Sequence, residues 1–171
     1  GSRPGDRRGK GGVMHVDLFA YGTIRTDVRW LAKHGWSPED AQADSALDIQ
    51  FHWDPNAEVI GDLGGWVLHD RALHCSGPGH VPAVTDHDVT GAQVIGDLYR
   101  VTLDGFQAIL RYEGYPSLYR FETVWVNSLT TPSTIEQAVV FTTNGAHSFG
   151  PAVPSGDYYN QEVPCAEPIR G

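Results

Sequence analysis

In the stretch LRYEGYP, Leu110 to Pro116, a run with helical spacing stops at a glycine, a tyrosine and a proline, and one carboxylate, Glu113, stands at the stop. Acidic side chains suit the first turn of a helix, where the macrodipole is positive. In the last turn, unpaired carbonyls oppose negative charge. Burial beside Tyr112, Tyr115 and neighbouring strands disfavours the charged form further, so both effects raise the proton affinity of Glu113. A carboxylate shifted in this way can take up and return a proton near neutral pH, the work of a general acid and base. The plainer alternative for a lone glutamate is an exposed side chain on a solvated helix end.

A second group of chemistry-bearing residues is His69, His74, Cys75, His80 and His87, with Asp86 and Asp88 beside them. Imidazole, thiolate and carboxylate are zinc ligands, but none of these spacings matches a common ligand pair, and the segment reads as a polar, glycine-broken loop. Tyr119, Tyr158 and Tyr159 are candidates for lining a cavity, set against the ordinary use of strand aromatics as core.

The element that must place Glu113 is TLDGFQAILRYEG. Thr102 or Asp104 can cap it. Leu103, Phe106, Ile109 and Leu110 share one face, and Gly114 supplies a left-handed stop before Pro116. The predicted helix spans Leu103 to Glu113. Upstream, VMHVDLFAYGTIR reads as a buried strand feeding a tight loop at Tyr21 to Ile24. A short helix around Trp30 and Leu31 should stop at Gly35, and Ser37-Pro38-Glu39-Asp40 has the form of a helix start. Short apolar stretches then alternate with turn residues at 66–69, 82–84, 92–101, 119–126 and 138–143. Strands at this spacing with one strong helix predict a small mixed sheet or a barrel.

The length of 171 residues suits one domain, expected over residues 13–171, with residues 1–12 as a flexible tag or arm. A hydrophobic content of 40% and 20 glycines are those of a turn-rich globular chain. The net charge of −9 argues against nucleic acid and anionic membranes as partners, and no apolar run is long enough to span a bilayer. Two widely separated cysteines, Cys75 and Cys165, give no disulfide framework, so a reducing, cytoplasmic setting is expected. Arginine outnumbers lysine ten to two, which points to a GC-rich bacterial genome.

Taken together, FAYGTIR, GDLYRV at Gly96 to Val101, LRYEGYPSLYRFETVWV and PSGDYY resemble the gamma-glutamylcyclotransferase-like (AIG2-like) family in its own motif order. GWVLHD followed by PAV extends the resemblance over most of residues 14–160. It implies an α+β fold, a small and mostly antiparallel β-barrel with a few flanking helices. It also implies a small-molecule gamma-glutamyl substrate, bound by Tyr21, Gly22, Thr23, Ile24 and Tyr119, with Glu113 as the catalytic acid/base and neither metal nor cofactor. Glycine permits close backbone approach, and successive amides in such a turn can form an anion-binding nest. The implied reaction closes the α-amine of a gamma-glutamyl group onto its own side-chain carbonyl, forming 5-oxoproline and releasing an amine.

The sequence departs from the family pattern at residues 26–58, a longer and different segment that could wall the cavity. Asp97 stands where the family's strand carries glutamate, a change read as neutral. If Glu113 is not the acid/base, Asp97 and Glu122 are next in line. Two other readings stand beside cyclotransfer: a non-catalytic small-molecule-binding protein of the same fold, and a metal-dependent hydrolase. The amine released, whether a free amino acid, an ε-lysine or polyamine, or an intermediate of natural-product biosynthesis, is left open, as is the oligomeric state.

Overall fold

A computed structural model describes residues 14–44, 46–76, 81–115, 117, 119–143 and 149–159. The expected arm at residues 1–12 lies outside the described residues, as does His80 of the histidine group. In chain order the elements are β1 (His15–Ala20), α1 (Val28–Lys33), α2 (Pro38–Ala43), α3 (Asp48–His52), β2 (Glu58–Ile60), β3 (Trp66–His69), β4 (Leu73–Ser76), β5 (Val81–Val84), β6 (Gln93–Thr102), α4 (Leu103–Tyr112), β7 (Tyr119–Ser128), β8 (Ile135–Thr143) and β9 (Phe149–Ala152).

Hydrogen-bonded neighbours run from β1 through β6, β3, β7 and β8 and return to β1. All of these pairings are antiparallel except the closing one, where Leu18 on β1 meets Val139 on β8 in parallel. The circuit closes a small, mostly antiparallel sheet, in keeping with the small mixed sheet or barrel that the strand spacing predicts. β5, β4 and β9 extend the sheet outward from β8, and β2 adds to β6.

β6 is buried on both faces over most of its length, as is the second half of β1, whereas β7 leaves Phe121 and Trp125 exposed. On β1, Leu18 and Ala20 join a core cluster that includes Leu31, Ile49, Phe106 and Ile109 of the helices, whereas Phe19 packs with Trp66, Val94, Leu98, Val126 and Val140. Period-two alternation thus feeds two apolar layers at once.

Helix α4 ends one residue before the predicted limit, with Glu113 as its C-cap and Gly114 at φ +68° supplying the stop. Its N-cap is Thr102, whose Oγ1 accepts from the Gly105 amide. Phe106 and Ile109 are buried, but Leu103 is 41% exposed and Leu110 half-buried, so the apolar face is narrower than its spacing suggests. The start of α4 is held by Asp54, from the divergent 26–58 segment, whose Oδ2 accepts from the Thr102 amide at 2.7 Å. Gly105 fits beneath because a Cβ there would come within 2.5 Å of Asp54 Cβ.

Helix α1 stops at Gly35, φ +79°, and α2 begins with Ser37 accepting from the Asp40 amide and Pro38 in the first turn, both as the sequence predicts. The sequence reading omits α3, β2, β4 and β9, each five residues or fewer. The omission has a physical cause. Elements this short carry too little periodicity to read alone, and partners recruit them: β4, placed within the supposed polar loop, pairs with both β5 and β9. Among the described residues no helix is long and apolar enough to cross a membrane.

Candidate active site

Glu113 is half-buried where α4 ends, and its amide closes the helix onto Ile109 O at 2.8 Å. Among the described residues its carboxylate has neither a hydrogen-bond donor nor a cationic partner. Burial without compensation disfavours its charge and pushes its pKa up to about 7. The cause is desolvation by burial.

Opposite it lies the loop at Tyr21–Ile24. The Arg25 amide donates to Gly22 O at 3.0 Å, closing a turn in which the amides of Gly22, Thr23 and Ile24 have no acceptor among the described residues. Consecutive unpaired N–H groups on a partly buried turn are suited to an anionic or polarised oxygen. The turn has no positive φ, so it is not the alternating nest expected from the sequence. Gly22 is needed for another reason: a Cβ there would meet Pro82 Cγ of β5 at 2.5 Å.

Tyr21 and Tyr119 are both buried, and their hydroxyls donate to main-chain carbonyls, of Phe141 at 2.7 Å and Pro82 at 2.9 Å respectively. Burial raises the pKa of each, and the nearby Glu113 charge raises it further. The side chain of Ile24 belongs to the core, so only its backbone is available to a ligand. Thr23 Oγ1 lies 3.1 Å from the Tyr112 hydroxyl. Tyr21 and Tyr119 both feel the Glu113 charge, and Tyr112 and Tyr158 each add to the raised pKa of Tyr119. The 26–58 segment reaches this group through Trp53, whose ring packs edge-on against Tyr112 with centroids 5.0 Å apart.

Behind the loop is a buried polar network that sequence reasoning missed. Asp97 is fully buried. Its Oδ2 accepts from the Thr26 amide at 3.0 Å and the Tyr99 hydroxyl at 2.6 Å, and its Oδ1 from the Gly64 amide at 2.5 Å. Burial raises its pKa, with Arg25 opposing. Arg25, 3% exposed, places Nε 3.7 Å from Asp97 and Nη1 2.7 Å from Asp157. Asp97 therefore anchors the loop from below, and its two occupied oxygens leave it poorly placed as a substitute acid/base. The other fallback, Glu122, is paired with Arg71 at 2.5 Å. The only sequence signals for this network are Arg25 following the loop directly and the aspartate of PSGDYY.

The histidine group is dispersed among separate partners. His74 Nδ1 is 2.9 Å from Gly150 O, His87 Nδ1 is 2.9 Å from Asp86, and Asp88 faces Arg71. Among the described residues no cluster of three or more His, Cys, Asp or Glu side chains is placed to hold a metal ion. Cys75 is disulfide-bonded, although the wide spacing of the two cysteines gives no disulfide framework to read; Cys165 lies outside the described residues.

A family model described as gamma-glutamyl cyclotransferase, AIG2-like, matches residues 18–160. No curated protein sequence matches the chain. Among solved structures it is similar to an AIG2-like protein from Mus musculus, at 21% identity over 85% of this chain and 95% of that one, with a TM-score of 0.54. A structure titled gamma-glutamyl cyclotransferase matches at 14% identity over 82% and 73%, with a TM-score of 0.54. An uncharacterized Homo sapiens protein matches at 15% identity over 82% and 72%, with a TM-score of 0.56. At these identities the structures show a shared fold.

Proposed function

The chain belongs to the gamma-glutamyl cyclotransferase, AIG2-like family, and from that premise we propose that it converts a gamma-glutamyl amide into 5-oxoproline and a released amine or amino acid. The observation that carries this reading is the half-buried, unpaired Glu113, whose proton affinity is matched to neutral pH.

In the proposed reaction, the Glu113 carboxylate takes a proton from the substrate's α-ammonium. The freed amine attacks the side-chain carbonyl carbon, a ring C–N bond forms, and negative charge moves onto the carbonyl oxygen. Protonated Glu113 then returns its proton to the amide nitrogen. The C–N bond to that nitrogen breaks as the carbonyl re-forms. The ring nitrogen gives up its second proton to Glu113, and Glu113 passes it to the departing amine, so that 5-oxoproline and an ammonium ion leave. Closure to a five-membered ring is intramolecular and needs only a near-attack conformation and a group that carries protons from the ring nitrogen to the leaving nitrogen. The amides of Gly22, Thr23 and Ile24 are the donors available to substrate oxygens. Tyr21 and Tyr119, whose hydroxyls are committed to carbonyls, act as walls rather than proton carriers.

The test is incubation with gamma-glutamyl derivatives of amino acids, ε-lysine, polyamines and larger amines, with mass-spectrometric detection of 5-oxoproline. Release above the Glu113→Gln background is expected for at least one member. No product from any of them would sink the proposal.

A further inference from the structure

We propose that Tyr159 is a positioning residue for the Gly22–Arg25 turn: its hydroxyl sets the direction of the amides that, on the reading above, hold the substrate. Tyr159 Oη donates to Arg25 O at 2.9 Å and approaches Gly22 O at 3.4 Å. One hydroxyl from the far end of the described chain thus holds carbonyls at both ends of the turn. A trans peptide is planar, with its C=O and N–H opposed. Fixing Gly22 O toward Tyr159 therefore turns the Thr23 N–H away from it, and fixing Arg25 O turns the Thr26 N–H onto Asp97, where it is found.

Tyr159 is itself held in place. Asp157 Oδ1 accepts from the Tyr159 amide at 3.0 Å and from Arg25 Nη1 at 2.7 Å. The Arg25 guanidinium lies 5.0 Å from the Tyr159 ring centroid and that of Arg29 lies 5.4 Å away. Burial raises the Tyr159 pKa, so the hydroxyl keeps its proton at any working pH and remains a donor.

Tyr159→Phe removes the hydroxyl and keeps the ring on both guanidinium groups. Without the clamp, backbone ¹⁵N order parameters at residues 22–25 should fall from the rigid value of about 0.85 to below about 0.6, while those of β6 stay unchanged. KM for a gamma-glutamyl substrate should rise about 3- to 10-fold, the worth of one or two hydrogen bonds, with kcat within about 2-fold of wild type. A residue with only a structural role would lower the melting temperature without separating KM from kcat. Unchanged order parameters, or a mobile loop with unchanged KM, would overturn the proposal. The relaxation measurement needs no substrate. An enzyme that makes no 5-oxoproline but whose loop loosens in Tyr159→Phe would refute the catalytic reading and leave the clamp standing.

Discussion

The hydroxyls of Thr23 and Tyr112 lie 3.1 Å apart, joining the turn after β1 to the last residue of α4, one position before Glu113. The Tyr21–Ile24 turn and the helix end that carries Glu113, the proposed acid/base, are thus joined at this contact. Both ends of the site are also fixed independently, the loop by Asp97 below it and the helix start by Asp54.

Replacing Glu113 by glutamine keeps the shape of the helix end and removes the proton shuttle. Formation of 5-oxoproline should fall about 10²- to 10⁴-fold, the usual contribution of general acid–base catalysis. Near-normal turnover in a coupled or mass-spectrometric assay would remove Glu113 from its role.

The pH dependence follows from the raised pKa. Glu113 must be unprotonated to accept the ammonium proton, so kcat/KM should climb through about pH 7 and then level off. For stability the sign is opposite. The folded state binds the proton more tightly than the unfolded chain, whose carboxylate titrates near 4.5, so wild type loses stability relative to Glu113→Gln as pH rises from there to about 7. Thermal scans should show the glutamine variant melting higher at pH 8 and the two converging at pH 4. The reverse order would contradict uncompensated burial.

What could be read from the sequence was whatever local chemistry determines. The cap at Thr102, the stop at Gly114, the start at Ser37-Pro38 and the long two-faced strands are each encoded within a few residues. Glu113 was legible because its position against the helix dipole is itself a local anomaly, and the burial that raises its proton affinity is not written in the local sequence. The partners of Asp97, Arg25, Asp157 and Tyr159 were not legible. Arg25 meets Asp157 and Tyr159 across 132 and 134 residues, and the Thr26 amide meets Asp97 across 71, and no periodicity records which charges a fold brings together in its interior. Gly22 has a further reason that the local sequence does not carry, since the crowding atom belongs to Pro82, far along the chain.

Asp97→Asn tests the buried network. An amide can accept with its oxygen, but its NH₂ would face backbone donors, and Arg25 would keep only Asp157 as a close carboxylate. A loss of about 2–4 kcal/mol is expected, measured by denaturant titration, because removing one member of a buried charged pair strands the other. A change below about 0.5 kcal/mol would show that Arg25 and the loop do not depend on Asp97.

Gly22→Ala isolates the steric role of the loop glycine. The backbone at Gly22 does not have positive φ, so alanine meets no conformational penalty of its own. Its methyl would instead meet Pro82 Cγ at 2.5 Å and Cβ at 3.2 Å. The proline ring is rigid, and its carbonyl is tied to the Tyr119 hydroxyl at 2.9 Å, so the strand cannot yield cheaply and the loop must move. Overpacking of this kind costs about 1–3 kcal/mol. A displacement of about 1 Å in groups that orient a substrate can cost about 10²-fold in rate, so kcat/KM should fall more steeply than stability. Pairing the change with Pro82→Ala removes Cγ and should restore part of both losses, with a coupling energy above about 0.5 kcal/mol in a double-mutant cycle. Additive effects would mean that the two residues do not meet and that Gly22 is required for another reason.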